Sequence, residues 1–407
     1  MQIKTTVSVN SIKYGVMILF ILAPFLFPTG LQYSSSFDLL YSKILFFWRI
    51  IACVCCILLF FYRSFQKSIS IETVLFFILM CTMLFSTFMK DASFVSFFST
   101  WGGFFCFYVG VEYYLDKCPI ILCRVMKGWL EIIVIINLIT MLLFPGGMPL
   151  DKIVYMGPDS LYVWFWGFKN NICNLIIPYF AFAITLNYLL QDKKIISLLF
   201  PTVLSIVTAI FSHSTTLLIA VLIISFMLVL RNIKVIRKYI NPKNMAIIGI
   251  GITVLVVFFN IQNLFSWLIE GVLGKDLSLS NRTLLWTYSL QDISQSPFFG
   301  YGVQTSTTFG LVRYAPAYNH CHNAILTLLY QGGLVSLIAY GVFFFYSIFK
   351  SKTKSDLDYY YGMLLFVQLI FHISGSINGV GLFLILNLIN NRKKIETNNK
   401  LLYGAGK

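Results

Sequence analysis

The chain has 407 residues, of which 58% are hydrophobic and 11% are charged. Soluble domains carry about 25% charged residues, so this composition excludes an ordinary soluble protein and is typical of a protein embedded in lipid. The formal net charge is +15. The basic residues follow the membrane topology described below and do not form the single basic face of a nucleic-acid-binding protein, so no nucleic-acid partner is expected.

About twelve apolar runs approach or exceed the roughly 20 residues that a helix needs to cross the hydrocarbon core. They predict an all-α, polytopic integral membrane protein with about twelve transmembrane helices, in a single membrane domain that comprises residues 1–407. No cleavable signal is evident, because Pro24 and Pro28 follow the first run in place of a small-residue cleavage site. The last run could instead form a hairpin that does not fully span. The runs are 12–28, 42–62, 71–89, 94–115, 128–144, 172–190, 195–212, 214–230, 245–262, 322–349, 358–375 and 377–390.

Lysine and arginine are distributed unevenly between the predicted loops. If the N-terminus is inside, cations on the cytoplasmic side outnumber those on the outer side about three to one, in keeping with the preference of cytoplasmic loops for positive charge. We therefore expect a multi-pass protein, surrounded by membrane lipid, whose N- and C-termini are both cytoplasmic.

Two of the predicted extracytoplasmic loops are long, at residues 145–171 and 263–321. Long connections on one face often carry function. The larger loop also contains a predicted amphipathic helix, which follows helix-capping residues at 278–281 and ends at Ser296-Pro297 before a turn at 300–302. Its stripe at helical spacing comprises Arg282, Trp286, Leu290 and Ile293. We expect this helix to lie at the outer membrane surface; the alternative is a lid that only packs.

His322 is the best candidate for a general base. It stands where the polar loop enters the long apolar run, and so at a predicted helix N-terminus. The helix dipole disfavours a positive charge there, which would keep the ring neutral and able to accept a proton. The alternative is that His322 is only a polar helix cap.

Arg282 is the best-placed outer cation for binding a phosphate group, because the forked guanidinium pairs well with phosphate oxygens. The alternative is that its side chain extends toward lipid headgroups. The sequence His320-Cys321-His322 looks superficially like a metal site. Structural zinc sites use separated pairs of ligands, however, and three consecutive residues do not converge easily on one ion. We expect neither a metal nor a cofactor.

The stretch from Asn281 to about Phe345 resembles the signature region of the bacterial O-antigen polymerase and ligase family. That family carries an arginine followed four residues on by tryptophan, then a P-x-x-G-x-G turn, then H-N-x-x-L-x-x-L-x-x-x-G at the entry of the next span. The matching residues are Arg282 and Trp286, the turn from Pro297 to Gly302, and the run from His322 to Gly333. The tetrapeptide Gly167-Phe168-Lys169-Asn170 is similar to a G-x-K-N stretch that precedes a span in many members.

The resemblance implies a glycosyltransferase of the bacterial inner membrane that acts outside the cytoplasm on an undecaprenyl-diphosphate-linked glycan. It implies inverting, metal-independent transfer, either to a second lipid-linked unit by a polymerase of capsular or O-antigen polysaccharide, or to a lipid A core by a ligase. His322 corresponds to the residue that activates the acceptor hydroxyl, and Arg282 to the arginine that engages the donor diphosphate. A chain-length regulator protein is a further expected partner. The supporting residues are Asn323, Trp286, Arg313 and Asn170.

The chain departs from the family pattern at one place. Many members have Ser-Arg at the outer start of the span that follows a short turn, whereas this chain has Ser212-His213-Ser214. Either His213 or Lys169 then supplies the second diphosphate-binding group, or the donor is held differently. This departure favours the polymerase over the ligase.

A transporter of lipid-linked oligosaccharide is the alternative from another class. Transporters are expected to place charged groups along a central cavity and to show internal pseudo-symmetry. The chain shows no repeated halves, and its mid-span charges are few. Glu112 and Glu131, near the inner ends of two spans, are expected to pair with cytoplasmic lysine or arginine, although acids in membrane helices can also mark proton pathways.

Overall fold

The computed structural model describes residues 9–152, 162–191, 196–259, 261, 267, 282–305, 307–314, 320–350, 356–375, 377 and 379–403. Over these residues the fold is helical, and β pairing is limited to an isolated bridge between Val163 and Phe168. The α-helices are α1 (Val9–Leu22), α2 (Phe46–Phe65), α3 (Ile71–Met89), α4 (Phe94–Phe97), α5 (Gly103–Lys117), α6 (Pro119–Leu143), α7 (Cys173–Leu189), α8 (Ile196–Phe211), α9 (Thr215–Leu230), α10 (Lys234–Tyr239), α11 (Pro242–Phe259), α12 (Arg282–Gln295), α13 (Ala324–Phe349), α14 (Asp356–Ser374) and α15 (Gly381–Tyr403).

A helix lies at each predicted apolar run, which confirms an all-α membrane protein. Within the described residues, seven helical segments are long and apolar enough to cross a membrane. Shorter apolar helices lie at Asn10–Leu26, Ser197–Phe211 and Thr215–Leu230, and α14 and α15 occupy the last two runs. The count of twelve spans therefore stays a prediction. The seven segments are Leu40–Phe65, Ile71–Met89, Phe94–Lys117, Pro119–Leu143, Lys169–Leu189, Pro242–Phe259 and Ala324–Phe349.

The chain divides into two compact units. Unit 1 comprises Met1–Ile69, Cys106–Leu222 and Phe383–Lys407, and unit 2 comprises Ser70–Phe105 and Ile223–Leu382. The prediction of a single membrane domain is not tested by this division.

In unit 1, the acids near the predicted inner ends of the spans are paired, as expected. The buried Arg63 donates through Nη2 to Asp116 at 2.8 Å and to Glu112 at 3.4 Å. Glu131 forms an ion pair with Lys127, one turn earlier on the same helix. Because each of these carboxylates has a cationic partner, they are poor candidates for the uncompensated acids of a proton pathway.

In unit 2, the long helix α13 is broken at Gly333, where φ is 63° and ψ is −166°. In a continuous helix, the N–H groups of Leu334 and Val335 would donate to the carbonyl groups of Tyr330 and Gln331. The break separates these four groups. In a lipid environment each of them would be costly if it had no partner.

The turn at residues 297–302 supplies all four missing partners. Two of its carbonyl groups accept the freed N–H groups, and two of its N–H groups donate to the freed carbonyl groups. The bonds are Leu334 N to Pro297 O (2.8 Å), Val335 N to Phe298 O (3.1 Å), Tyr301 N to Tyr330 O (2.8 Å) and Gly302 N to Gln331 O (2.9 Å). The P-x-x-G-x-G turn is therefore joined to the middle of α13 by a reciprocal exchange of backbone hydrogen bonds.

Helix α3 also contacts the place where the turn at 297–302 meets the break in α13, which we call the junction. The buried hydroxyl of Ser86 donates to the carbonyl of Gln331 at 2.7 Å and accepts from the N–H of Gly302 at 3.2 Å. The neighbouring Thr87 Oγ1 accepts from the N–H of Val303 at 3.2 Å. The turn is thus held from two sides, by α13 and by α3.

Helix α12 ends just before this turn and packs along α13. Residues Arg282–Gln295 are helical, but the amphipathic character of this helix and its location at an outer membrane surface stay predictions. Its buried face also differs from the predicted stripe, because Leu290 is only partly buried and two polar residues take part. The buried residues are Leu285, Trp286, Ser289, Asp292 and Ile293.

Substitution of two glycines of α13 should have different effects on stability, because only one of them lies at the junction. A Cβ atom at Gly333 would lie 2.3 Å from the carbonyl carbon and oxygen of Phe298, and its backbone region is essentially restricted to glycine. At Gly341 a Cβ atom would meet nothing within 4 Å. We expect Gly333→Ala to lower stability by about 3 kcal/mol or more, and Gly341→Ala to leave it unchanged or slightly higher.

Thermal unfolding of the two purified variants in the same detergent measures this difference. Equal unfolding temperatures for Gly333→Ala and Gly341→Ala would show that the break in α13 does not depend on the turn.

Candidate functional site

The candidate catalytic segment is the loop that leads into α13 in unit 2. Asn323 is the N-cap of this helix and is fully buried. Its Oδ1 accepts from the N–H of Leu326 at 3.0 Å, and its Nδ2 donates to the carbonyl of Ile373, on α14, at 3.1 Å. Both ends of the amide are occupied, so Asn323 sets the start of α13 and fixes it to α14.

His322 immediately precedes this cap and has an unusual backbone conformation. Its φ is 48°, in the left-handed region that non-glycine residues rarely adopt. Such conformations persist where the surrounding structure determines them, and they are common at functional sites. Here the cap at Asn323 holds the following residue in place, so the position of His322 is set by the backbone on its C-terminal side.

The rings of His320 and His322 are in contact. Their centroids lie 3.6 Å apart, with an angle of 33° between the ring planes. Sequence reasoning considered His320 only as a metal ligand. The spacing of two histidines in H-x-H was the available signal, but spacing alone does not show that the side chains meet in an irregular loop.

Arg282 acts on both rings from the first residue of α12. Burial of His320 lowers its pKa from 6.5 to about 4, and the positive charge of Arg282 acts in the same direction. For His322, burial, then His320, then Arg282 hold the pKa well below 6.5. Both rings are therefore neutral at pH 7, as the sequence predicted for His322, and burial is the largest cause.

The burial of Trp286 accounts for the position of Arg282 beside the two histidines. Residues four apart lie on the same face of a helix, and Trp286 is only 2% exposed. It belongs to one apolar cluster with Cys321 and Leu326, at the start of α13. Burial of the indole therefore turns the Arg282 face of α12 toward the two histidines.

Cys321 lies between the histidines but is fully buried. Burial raises the pKa of its thiol to about 12, although hydrogen bonding with Ser289 and Thr327 opposes this. The thiol is therefore protonated, whereas a metal ligand would be a thiolate. Across the described residues, no group of three or more histidine, cysteine, aspartate and glutamate side chains is arranged to hold a metal ion.

Arg313 lies toward the other end of α12. It pairs with the buried carboxylate of Asp292 and donates to the hydroxyl of Tyr314 at 3.1 Å. Asp292 is ten residues, or about 15 Å of helix, from Arg282. Arg313 therefore joins the short helix Gly310–Arg313 to α12, while Arg282 is the arginine that acts on the histidines.

Three other predicted residues, Lys169, Asn170 and His213, come together in unit 1. Lys169 Nζ lies 4.7 Å from the centre of the Tyr162 ring, and the His213 ring lies 5.0 Å from it. The hydroxyl of Ser214 donates to Oδ1 of Asn170 at 3.0 Å. The two candidates for the second phosphate-binding group thus share one aromatic neighbour, Tyr162, which sequence reasoning missed.

A tight turn at residues 162–169 brings Lys169 to Tyr162. The N–H of Lys169 donates to the carbonyl of Tyr162 at 3.0 Å, and Trp164 and Gly167 exchange two backbone hydrogen bonds of 3.0 Å each. Gly167 has a φ of 140°, and a Cβ atom there would lie 2.9 Å from Thr29 Oγ1. The glycine of the G-x-K-N stretch therefore makes the turn that places the lysine.

Part of the chain is similar to a known protein family. Residues 200–341 match the family model described as O-antigen ligase. This match, over about a third of the chain, supports the resemblance to the O-antigen polymerase and ligase family. The matched region includes Arg282, the turn at 297–302 and His322, but not Lys169 or Asn170. No curated protein and no solved structure matches the chain significantly.

The lowered pKa of His322 predicts how the reaction rate changes as the pH falls below 7. If neutral His322 accepts the proton, glycosyl transfer should be nearly as fast at pH 6 as at pH 7, and should fall only at lower pH. A histidine with an ordinary pKa would be about three-quarters protonated at pH 6. The profile is measured as kcat/KM of the purified protein across this range, because this ratio reports the protein without bound donor.

A half-maximal kcat/KM near pH 6.5 would contradict the neutral, buried ring. Protein stability must be followed in parallel, because the same shift affects folding. With a pKa lower in the folded state, His320 contributes stability that is complete above pH 6.5 and is lost as the pH falls toward about 4.

Proposed function

We propose that the protein is a polymerase of undecaprenyl-diphosphate-linked oligosaccharide repeat units in the synthesis of capsular or O-antigen polysaccharide. It would act at the outer face of the bacterial inner membrane, with both termini in the cytoplasm. The transfer inverts the anomeric centre and uses no metal ion. The observation that carries the proposal is the neutral His322 ring, held against His320 and within the field of Arg282.

In this reaction a hydroxyl oxygen of the acceptor sugar forms a bond to the anomeric carbon of the donor. The bond from that carbon to the diphosphate oxygen breaks, and its electron pair leaves with the diphosphate. His322 takes the hydroxyl proton as general base, and Arg282 stabilises the negative charge that grows on the leaving group. A diphosphate beside Arg282 would also stabilise the imidazolium that forms.

His320 has a positioning role in this proposal. Its ring contact restricts the orientation of His322, and its own lowered pKa keeps it neutral at pH 7. Asn323 positions the base by capping α13 just after it, and Trp286 positions the arginine through α12. Arg313 supports α12 through Asp292.

We further propose that Lys169 and His213, around Tyr162, bind diphosphate oxygens of the donor, with Asn170 in support. Lys169 supplies the ammonium group of this site, and His213, which contacts the same tyrosine ring, is exposed. This assignment gives a function to the residues that replace the second arginine of the family pattern.

The ligase is the second candidate, because the matched family model is described as O-antigen ligase. It would use the same donor and the same base, with a lipid A core as acceptor. A transporter of lipid-linked oligosaccharide is less well supported, since Glu112 and Glu131 both have cationic partners. A chain-length regulator remains a proposed partner of the polymerase.

The proposed roles predict different defects at His322 and Arg282. His322→Ala should retain donor binding and lose roughly 100- to 10,000-fold in rate, the usual range for general base catalysis. Arg282→Lys should be impaired because it keeps the charge but loses the fork, and Arg282→Ala should be worse and should also bind donor poorly. Donor binding and chain elongation are measured with purified protein and a lipid-diphosphate substrate.

Gln291→Ala is the matched control, since Gln291 is exposed on α12 and lies away from the histidines. It should behave like the unaltered protein. Near-normal elongation by His322→Ala, with the protein present at its normal level, would show that His322 is only a polar residue before the helix cap.

The glycan made by cells that lack the protein separates the candidate functions. A polymerase defect should leave a surface glycan limited to one repeat unit, because single units are still exported and attached. Full-length but unattached polymer would indicate a ligase, and loss of all outward glycan would indicate a transporter. Gel separation of surface glycans, with the gene restored as control, distinguishes these outcomes.

A further inference from the structure

The connection between α9 and α11 contains a short helix, α10, whose charged and apolar residues lie on different sides. At about 100° per residue, its cations fall within one arc and its apolar residues within the opposite arc. The cations are Lys234, Arg237 and Lys238, and the apolar residues are Val235, Ile236 and Tyr239.

The apolar side of α10 is open. Val235 is 66% exposed and Tyr239 is 58% exposed, and Ile233, just before the helix, is 46% exposed. Side chains of this kind on a basic amphipathic helix are typical of a helix that lies in a membrane interface. Single exposed apolar residues are common on soluble surfaces, so the charge around them is what distinguishes an interfacial helix.

The surroundings of α10 are strongly basic. From residue 231 to residue 243 the sequence contains five cations and no aspartate or glutamate. The cations at the two ends are Arg231, before α10, and Lys243, after it. Positive charge next to membrane helices attracts the anionic headgroups of a leaflet.

The position of α10 along the chain indicates where it lies relative to the membrane. It joins α9, an apolar helix that ends at Leu230, to α11, which is long and apolar enough to span a membrane. A short connection between such helices lies close to where they leave the hydrocarbon. Arg237 also pairs with Asp356, at the start of α14, which ties α10 to a third helix end of unit 2.

We propose that α10 is an interfacial helix that binds anionic phospholipid headgroups. Val235 and Tyr239 enter the boundary between headgroups and acyl chains, while Lys234 and Lys238 contact phosphate groups. The occupant is the bulk anionic phospholipid of the leaflet that α10 faces. This proposal does not depend on the polymerase function.

Fluorescence of the full-length protein in vesicles tests the proposal. An environment-sensitive label is attached to the cysteine of Val235→Cys, in a variant whose other accessible cysteines are replaced. The vesicles contain phosphatidylcholine alone, phosphatidylcholine with phosphatidylglycerol, or phosphatidylcholine with a small amount of prenyl diphosphate. With phosphatidylglycerol, we expect blue-shifted emission that is quenched by brominated acyl chains and protected from aqueous iodide.

Charge variants test the contribution of the headgroups. Lys234→Gln and Lys238→Gln should each require about five times more phosphatidylglycerol for the same shift. This factor corresponds to about 1 kcal/mol, the usual attraction between one lysine and an anionic membrane surface. Lys117→Gln, at an exposed lysine that ends α5, should have no effect. High salt should weaken the response of the unaltered helix.

Three outcomes would overturn the proposal. A label that stays quenched by iodide in every vesicle would show that α10 lies in water. A label that is embedded equally without phosphatidylglycerol would show apolar anchoring with no headgroup recognition. A response to prenyl diphosphate alone would assign the cations to a different lipid.

Discussion

The exchange of backbone hydrogen bonds between the turn at 297–302 and the break in α13 is the constraint on which unit 2 depends. A helix in lipid cannot leave its backbone groups without partners, so a break in α13 requires an inserted segment with matching donors and acceptors. The turn meets this requirement with two carbonyl groups and two N–H groups. Gly333 allows the close approach, because any Cβ atom there would overlap the backbone of Phe298. The turn is fixed in place, and with it the C-terminal end of α12.

The chemistry of the candidate site follows from that fixed end. Since α12 is held at the turn and its Trp286 is buried against the start of α13, Arg282 comes to lie beside the loop of His320 and His322. Burial and the arginine charge both disfavour a proton on either ring. The site therefore combines a positively charged arginine with two neutral histidines. In water this combination would be difficult to keep, because protonating a histidine near an arginine costs little free energy there. In the proposed reaction, an anionic leaving group would compensate the charge of Arg282 when His322 accepts the proton.

Unit 1 presents a second group of polar residues built on another glycine turn. Gly167 reverses the chain so that Lys169 returns to Tyr162, and the ring of Tyr162 also meets His213. His213, like His322, has a positive φ. The polymerase and the ligase differ in the acceptor and not in the donor, so the O-antigen ligase match is compatible with both. What distinguishes them is the acceptor-binding surface, and the surface glycan of cells is therefore the more decisive measurement.

The sequence by itself determined the elements whose causes are local. Apolar runs became helices because burial in lipid requires it, Asn323 capped α13 because its side chain reaches an N–H three residues on, and Glu131 paired with Lys127 one turn away. The arginine–tryptophan and histidine–asparagine motifs located the candidate site. Only the tertiary structure showed that Ser86 completes the junction across more than 200 residues, that Tyr162 links Lys169 to His213, and that His320 touches His322. Some of these contacts join residues that are distant in the chain, and others lie in an irregular loop that has no helical or strand period. Sequence spacing therefore does not predict them, and packing decides them.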